Sequence, residues 1–198
     1  SKIHNAIQLS YKLVKIYNLF LKKCYIRNSP HLRTLIYHDV ELNKIHQLES
    51  KLRWLIKEGW NPLSHYEFQR ALNNGLLLND KNFNLTFDDG FKSNRIIADN
   101  ILNKFGVKAI FFVVTDFVDI KDIEDCHRFI SDHIWPGLSI NEIPLHWQNM
   151  DWDDVKWLLD NGHLIGSHTR THARLSEIND PRILEKEIVE SGDILEEK

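Results

Sequence analysis

The chain is poor in sulfur. It has two cysteines, Cys24 and Cys126, and a single methionine, Met150, in 198 residues. The two thiols lie far apart and match neither a zinc-ribbon nor a redox spacing, so they leave the redox compartment open. Neither sign of charge dominates: 25 Lys and Arg against 28 Asp and Glu leave a net charge of −3. No strong global field would gather nucleic acid or an anionic membrane. Repeats and low-complexity segments are missing. The sequence opens at Ser1 without a Met, which reads as a start after processing or inside a longer polypeptide. A long apolar run is missing too. Residues Ile3 to Ile26 are apolar on one side, but Lys12, Lys15, Lys22 and Lys23 interrupt them. A spanning helix needs about 20 consecutive apolar residues, so neither a transmembrane span nor a secretory signal is read here. The compartment stays open between cytoplasm and cell envelope. Residues 1–28 are expected to form an amphipathic helix, either packed on the domain or lying on a membrane surface through its lysines and Tyr11, Tyr17 and Phe20.

What is present suffices for one domain with a buried core, since 42% of the residues are hydrophobic. From residue 29 onward short apolar runs alternate with helical periods. Thr34 to Val40 reads as a buried strand. Leu48, Leu52, Leu55 and Ile56 give a helix over His46 to Glu58, stopped by Gly59. Trp60 to Leu63 is short and extended. Ser64 and Glu67 form a capping box for the next helix, which Gly75 closes. Phe83 to Phe87 is a strand running straight into Asp88-Asp89-Gly90. A helix with Ile96, Ile97, Ile101, Leu102 and Phe105 on its apolar stripe follows, ended by Gly106. Val107 to Val114 is a strand apolar on both faces. Asp151 to Asn161 is a helix, His163 to Ser167 a short strand, and Asp180-Pro181 opens a last helix with Pro at its favoured first position. About five strands alternating with helices imply parallel βαβ units, in an open sheet or a partial barrel. Residues 116–150, rich in Trp and His, break the rhythm and read as an inserted excursion above the sheet.

The chemistry-bearing residues gather at strand ends. Asp88-Asp89 follows an apolar strand, and His168 and His172 follow another. In a parallel sheet both ends face the same side, where ligand sites collect. One carboxylate and two imidazoles with an open fourth position make a catalytic zinc set. A second, unligated carboxylate can then deprotonate a water. The alternative is a turn formed by the Asp pair and a solvated helix start carrying the His pair. A second acidic pair, Asp153-Asp154, falls in the first turn of a helix and stabilises its dipole.

The segment Leu85-Thr86-Phe87-Asp88-Asp89-Gly90 resembles the first motif of the polysaccharide deacetylase family, the NodB homology domain. Gly166-Ser167-His168-Thr169-Arg170-Thr171-His172 resembles its second motif. Trp152 to Gly162, Thr34 to Val40 and Leu52 to Ser64 are similar to segments that flank these motifs in the family, and the resemblance covers roughly Arg33 to Glu190. It implies a distorted (β/α) barrel, incomplete at the C-terminus of this chain. It also implies Asp88 as base, and Asp89, His168 and His172 as ligands of Zn²⁺ or of a divalent relative such as Co²⁺, Ni²⁺ or Mn²⁺. The implied substrate is an N-acetylated glycan of the bacterial cell surface, from which acetate is removed. No nucleic-acid partner is implied.

The family's third motif, which supplies an oxyanion-hole amide, and its general-acid His are not found before Lys198. The chain therefore reads as a fragment, or as an incomplete product with little turnover, since one lost oxyanion donor costs about 10²–10³ in rate. Expressed alone it is expected to be poorly soluble, dimeric or loosely folded. The rival readings are a catalytically silent glycan-binding module that keeps the metal cradle, and a related amidohydrolase or deformylase. His38 lines the pocket floor or is a core residue. Trp135 and Trp147 stack on a sugar or form a satellite core with the histidines of the insertion. Arg170 is expected to be solvated.

Overall fold

Lys81–Phe87 is the strand on which the rest is assembled: six of its seven residues are buried. The computed structural model describes residues 31–74 and 81–198, so the N-terminal helix expected over 1–28 and the helix stop expected at Gly75 lie outside the described residues. Five strands form one wholly parallel sheet: β1 (His31–Tyr37), β2 (Asn61–Pro62), β3 (Lys81–Phe87), β4 (Ala109–Val113) and β5 (Leu164–Ser167). Their order is β1-β3-β4-β5, with the two-residue β2 paired to the start of β3. Among the described residues the sheet is open, with β1 and β5 at its ends.

Helices join the strands as parallel pairing requires. The main ones are α1 (Ile45–Lys57), α2 (His65–Asn74), α3 (Lys92–Ile97, continuing through Ala98–Leu102 to Asn103–Phe105), α4 (Thr115–Val118), α5 (Ile123–Phe129, continuing to Ile134), α6 (Trp152–Asp160) and α7 (Pro181–Glu185, continuing through Lys186–Glu190 and Ser191–Glu197). None among the described residues is long and apolar enough to cross a membrane. The caps follow the sequence chemistry. Ser64 Oγ accepts from Glu67 N at 3.3 Å, and Ser64 N donates to Glu67 Oε2 at 2.9 Å. Asp151 and Asp154 make the same reciprocal box at α6, and Asp154 also pairs with Lys92.

Leu85, Phe87, Phe111 and Val113 meet Leu48 and Leu52 of α1, Ile97 and Leu102 of the α3 segment, and Leu158 of α6 in the main core. Tyr37, Phe87 and Phe111 stack across three strands at 5.5 and 5.1 Å. Residues 116–150 build a second, smaller core in which Phe117, Cys126, Ile130 and Ile143 pack around Phe91 and Val114.

Two strands differ from the sequence reading. The first starts at His31 and ends at Tyr37, and it is not buried: Ile36 is 60% exposed. It is an end strand, so one face is left uncovered. In β4, Ile110 and Phe112 are only half-buried although β5 pairs alongside both, so the face they share is incompletely covered.

Gly166 shows why a small residue interrupts β5. A Cβ there would stand 2.7 Å from the Phe112 ring. Gly166→Ala is therefore expected to destabilise the fold by about 1–3 kcal/mol, as overpacking does. Urea unfolding of the two proteins would measure this, and an unchanged midpoint would show that the ring yields freely.

Candidate metal centre

The strand register fixes where the site lies. Tyr37 pairs with Phe87, and Val113 with Ser167. The next residues, His38, Asp88-Asp89 and His168, therefore emerge along one edge of the sheet. Backbone bonds extend the ladder past the strands: Asp88 N donates to Tyr37 O at 2.8 Å, Val114 N to Asp89 O at 3.1 Å, and His168 N to Val113 O at 2.9 Å.

Three non-glycine residues have left-handed backbones among the described residues, and all three are here: Asp89 (φ 74°), Thr169 (φ 67°) and His172 (φ 65°). Each such conformation costs on the order of 1–3 kcal/mol and persists only where the surroundings enforce it. The result brings Asp89, His168 and His172 together, with one ligand atom of each inside 4.8 Å of the others. Asp89 Oδ1 stands 3.6 Å from His168 Nε2 and 3.4 Å from His172 Nε2. His172 Nδ1–H donates to the His133 carbonyl at 2.8 Å. That bond fixes the tautomer and leaves the Nε2 lone pair facing Asp89, as a second partner does for a metal-binding imidazole.

The donor set fits a divalent cation. Asp89 is 1% exposed, yet its Oδ1 accepts no hydrogen bond from the protein. Burial raises the Asp89 carboxyl above its ordinary range, against the pull of His172, His38 and His168. Burial also lowers the His168 imidazole, favouring its neutral, ligating form. A desolvated carboxylate beside two imidazole nitrogens is a ready-made partner for a positive charge. Asp88 lies outside this group of three ligand atoms. It is half-buried, and its own Oδ1 is buried without a partner.

A cavity of about 810 Å³ has His38, Asp39, Trp135 and Trp147 in its wall, while Asp88, Asp89, His168 and His172 do not line it. His38 is exposed at the end of β1. Trp135 and Trp147 stack at 4.5 Å, and both pack into the second core against Phe91. Of the two uses weighed for these indoles, this packing is that of a satellite core. Asp39 was not singled out from the sequence. Its side chain is 7% exposed and accepts from Trp147 Nε1 at 2.9 Å and from Ser93 Oγ at 2.7 Å.

Arg170 is not merely solvated, as expected, but half-buried and ion-paired. Its Nε donates to both oxygens of Asp116, at 3.0 and 3.2 Å, and its Nη1 to Glu190 at 2.6 Å. Those partners lie 54 and 20 residues away, where no local pattern points to them.

Comparison with known proteins bears on the fold and the family. The polysaccharide deacetylase family profile matches residues 78–198. YxkH of Bacillus subtilis (strain 168), a polysaccharide deacetylase by name, is 26% identical over 144 residues, covering 66% of this chain and 52% of its own. The deacetylase PplD of Streptococcus pyogenes, solved with acetate, superposes with a TM-score of 0.57 at 22% identity, over 86% of this chain and 68% of its own. IcaB of Ammonifex degensii gives 0.53 at 21% identity, over 71% and 55%. The fold is thus of the polysaccharide deacetylase type, a (β/α) barrel whose strands here form an open sheet. This chain spans about half the length of YxkH and of IcaB.

His168→Ala should abolish stoichiometric binding of a divalent metal that the wild-type protein retains after desalting. Elemental analysis of both purified proteins checks this, and equal metal content would remove His168 from the ligand set.

Proposed function

This chain belongs to the polysaccharide deacetylase family, and from that premise we propose that it removes N-acetyl groups from the amino sugars of a polysaccharide or glycolipid. Asp89, His168 and His172 hold the cation, Zn²⁺ or a divalent relative, and Asp88 is the catalytic base. The observation that carries the reading is the buried, unpartnered Asp89 oxygen facing two imidazole Nε2 atoms. When bound, the cation supplies Lewis-acid polarisation of the acetamide carbonyl and makes a water easier to deprotonate.

The protein's own groups divide the remaining work. Two adjacent carboxylates cannot share one role, because like charges side by side push their affinities for protons apart. Asp89 faces the imidazoles and is neutralised as a ligand. Asp88, outside the ligand set and with a free oxygen, takes the proton from water as its oxygen bonds to the carbonyl carbon. The C=O π bond opens as that bond forms, and on its return the C–N bond breaks while Asp88 passes its proton to the departing nitrogen, giving acetate and the free amine. His38, Trp135 and Trp147 form the substrate wall. Flat indole faces suit a pyranose ring, and the cavity's volume falls in the range of ligand sites. A cell-surface glycan is the proposed substrate source.

Asp88→Asn separates base from ligand. Acetate release from an N-acetylglucosamine oligomer by the active enzyme should fall about 10²–10⁴-fold, the range of general-base contributions, while zinc content stays unchanged. An Asn variant that keeps most of the rate would contradict the assignment. One that loses zinc would make Asp88 a ligand.

A further inference from the structure

The buried face of α7 is partly polar. Glu187 is 5% exposed and Ser191 is fully buried, while Ile188 and Val189 between them are each 52% exposed. An amphipathic helix packed only for hydrophobic burial would show the reverse. The Glu187 carboxylate is committed to the loop between the two histidines. It accepts from Arg170 N at 3.1 Å, from Thr171 N at 2.9 Å and from Thr171 Oγ1 at 2.7 Å.

We propose that Glu187 is a positioning residue for the metal: its carboxylate cradles Arg170 and Thr171 and so holds His168 and His172 in ligating geometry. The inference rests on the reading of Asp89, His168 and His172 as the metal site. The two amides that Glu187 receives lie between Thr169 and His172, the two left-handed positions of the loop. Such backbones relax unless something enforces them. Charge-assisted bonds from backbone N–H to a buried carboxylate are among the stronger ones available. Arg170 adds a brace on the other side, through Asp116 and Glu190. The bond from His172 Nδ1 to His133 then sets the ring on a backbone already fixed. Supporting groups of this kind change metal affinity by about 10–100-fold without touching the metal.

The test measures Zn²⁺ affinity by competition with a chromogenic chelator, and the visible spectrum of the Co²⁺-substituted protein. Glu187→Ala should bind Zn²⁺ about 10–100-fold more weakly, with an altered Co²⁺ band pattern. Glu187→Gln keeps a carbonyl for the two amides and should recover most of the loss. Thr171→Val, which leaves the buried carboxylate in place, should weaken binding to a smaller degree, and Thr171→Ser should restore it. Leu195→Ala, on the same helix but in the main core, is the stability control and should leave the affinity of the folded protein unchanged. If Glu187→Ala does not fold, the Thr171 pair decides alone. The proposal is overturned if the Glu187 and Thr171 variants bind Zn²⁺ like wild type, or no more weakly than Leu195→Ala. Failure of the underlying metal reading looks different: wild type itself would bind no Zn²⁺.

Discussion

A carboxylate buried without a hydrogen bond is the constraint around which this structure is arranged. Leaving Asp89 ionised and unpaired in the interior costs several kcal/mol unless positive charge compensates it. Among the described residues no Arg or Lys pairs with Asp89. The protein offers two imidazoles, one of them locked by His133 with its lone pair turned inward. That combination leaves room for a cation rather than filling the place of one. The strain at Asp89, Thr169 and His172 follows from the same demand, since ordinary backbone geometry would not carry the three side chains to one point.

The fold supplies rigidity for this demand in layers. The strand register aligns four strand ends, and the stacked rings of Tyr37, Phe87 and Phe111 tie β1, β3 and β4 together. Behind the histidine loop stands α7, whose buried Glu187 is spent on that loop while its buried Ser191 meets Ser167 and Thr115. On the other flank the second core holds Trp135 and Trp147 beside the cavity, and Asp39 fixes one indole through its N–H. A long connection thus becomes a wall with its own apolar support.

Much of this was legible in the chain. The order of strands and helices, the cap at Ser64, and the gathering of Asp88-Asp89 with the His pair at strand ends follow from period, turn chemistry and parallel pairing. The rest depends on partners distant in sequence. Arg170 has nothing near it to pair with, and its acceptors come from Asp116 and Glu190. Glu187 looks like one more charge on a helix, although it sits three residues from both Leu184 and Glu190, on the face that turns inward. A buried Glu at an apolar position of that helix was the one available signal. Burial of the first strand was overread because periodicity says nothing of whether a strand lies at the end of its sheet. Ile36 shows the difference.

The central claim is that Asp89, His168 and His172 bind one divalent cation through one oxygen and two Nε2 atoms. Zinc K-edge absorption of the zinc-loaded protein tests it most directly. The account predicts one zinc per chain, with two imidazole nitrogens and a carboxylate oxygen near 2.0–2.2 Å, the usual range for such ligands. The outer-shell scattering of two histidine rings should be present in wild type and halved in His172→Ala. A zinc-loaded spectrum without histidine scattering, or one unchanged in that variant, would contradict the claim.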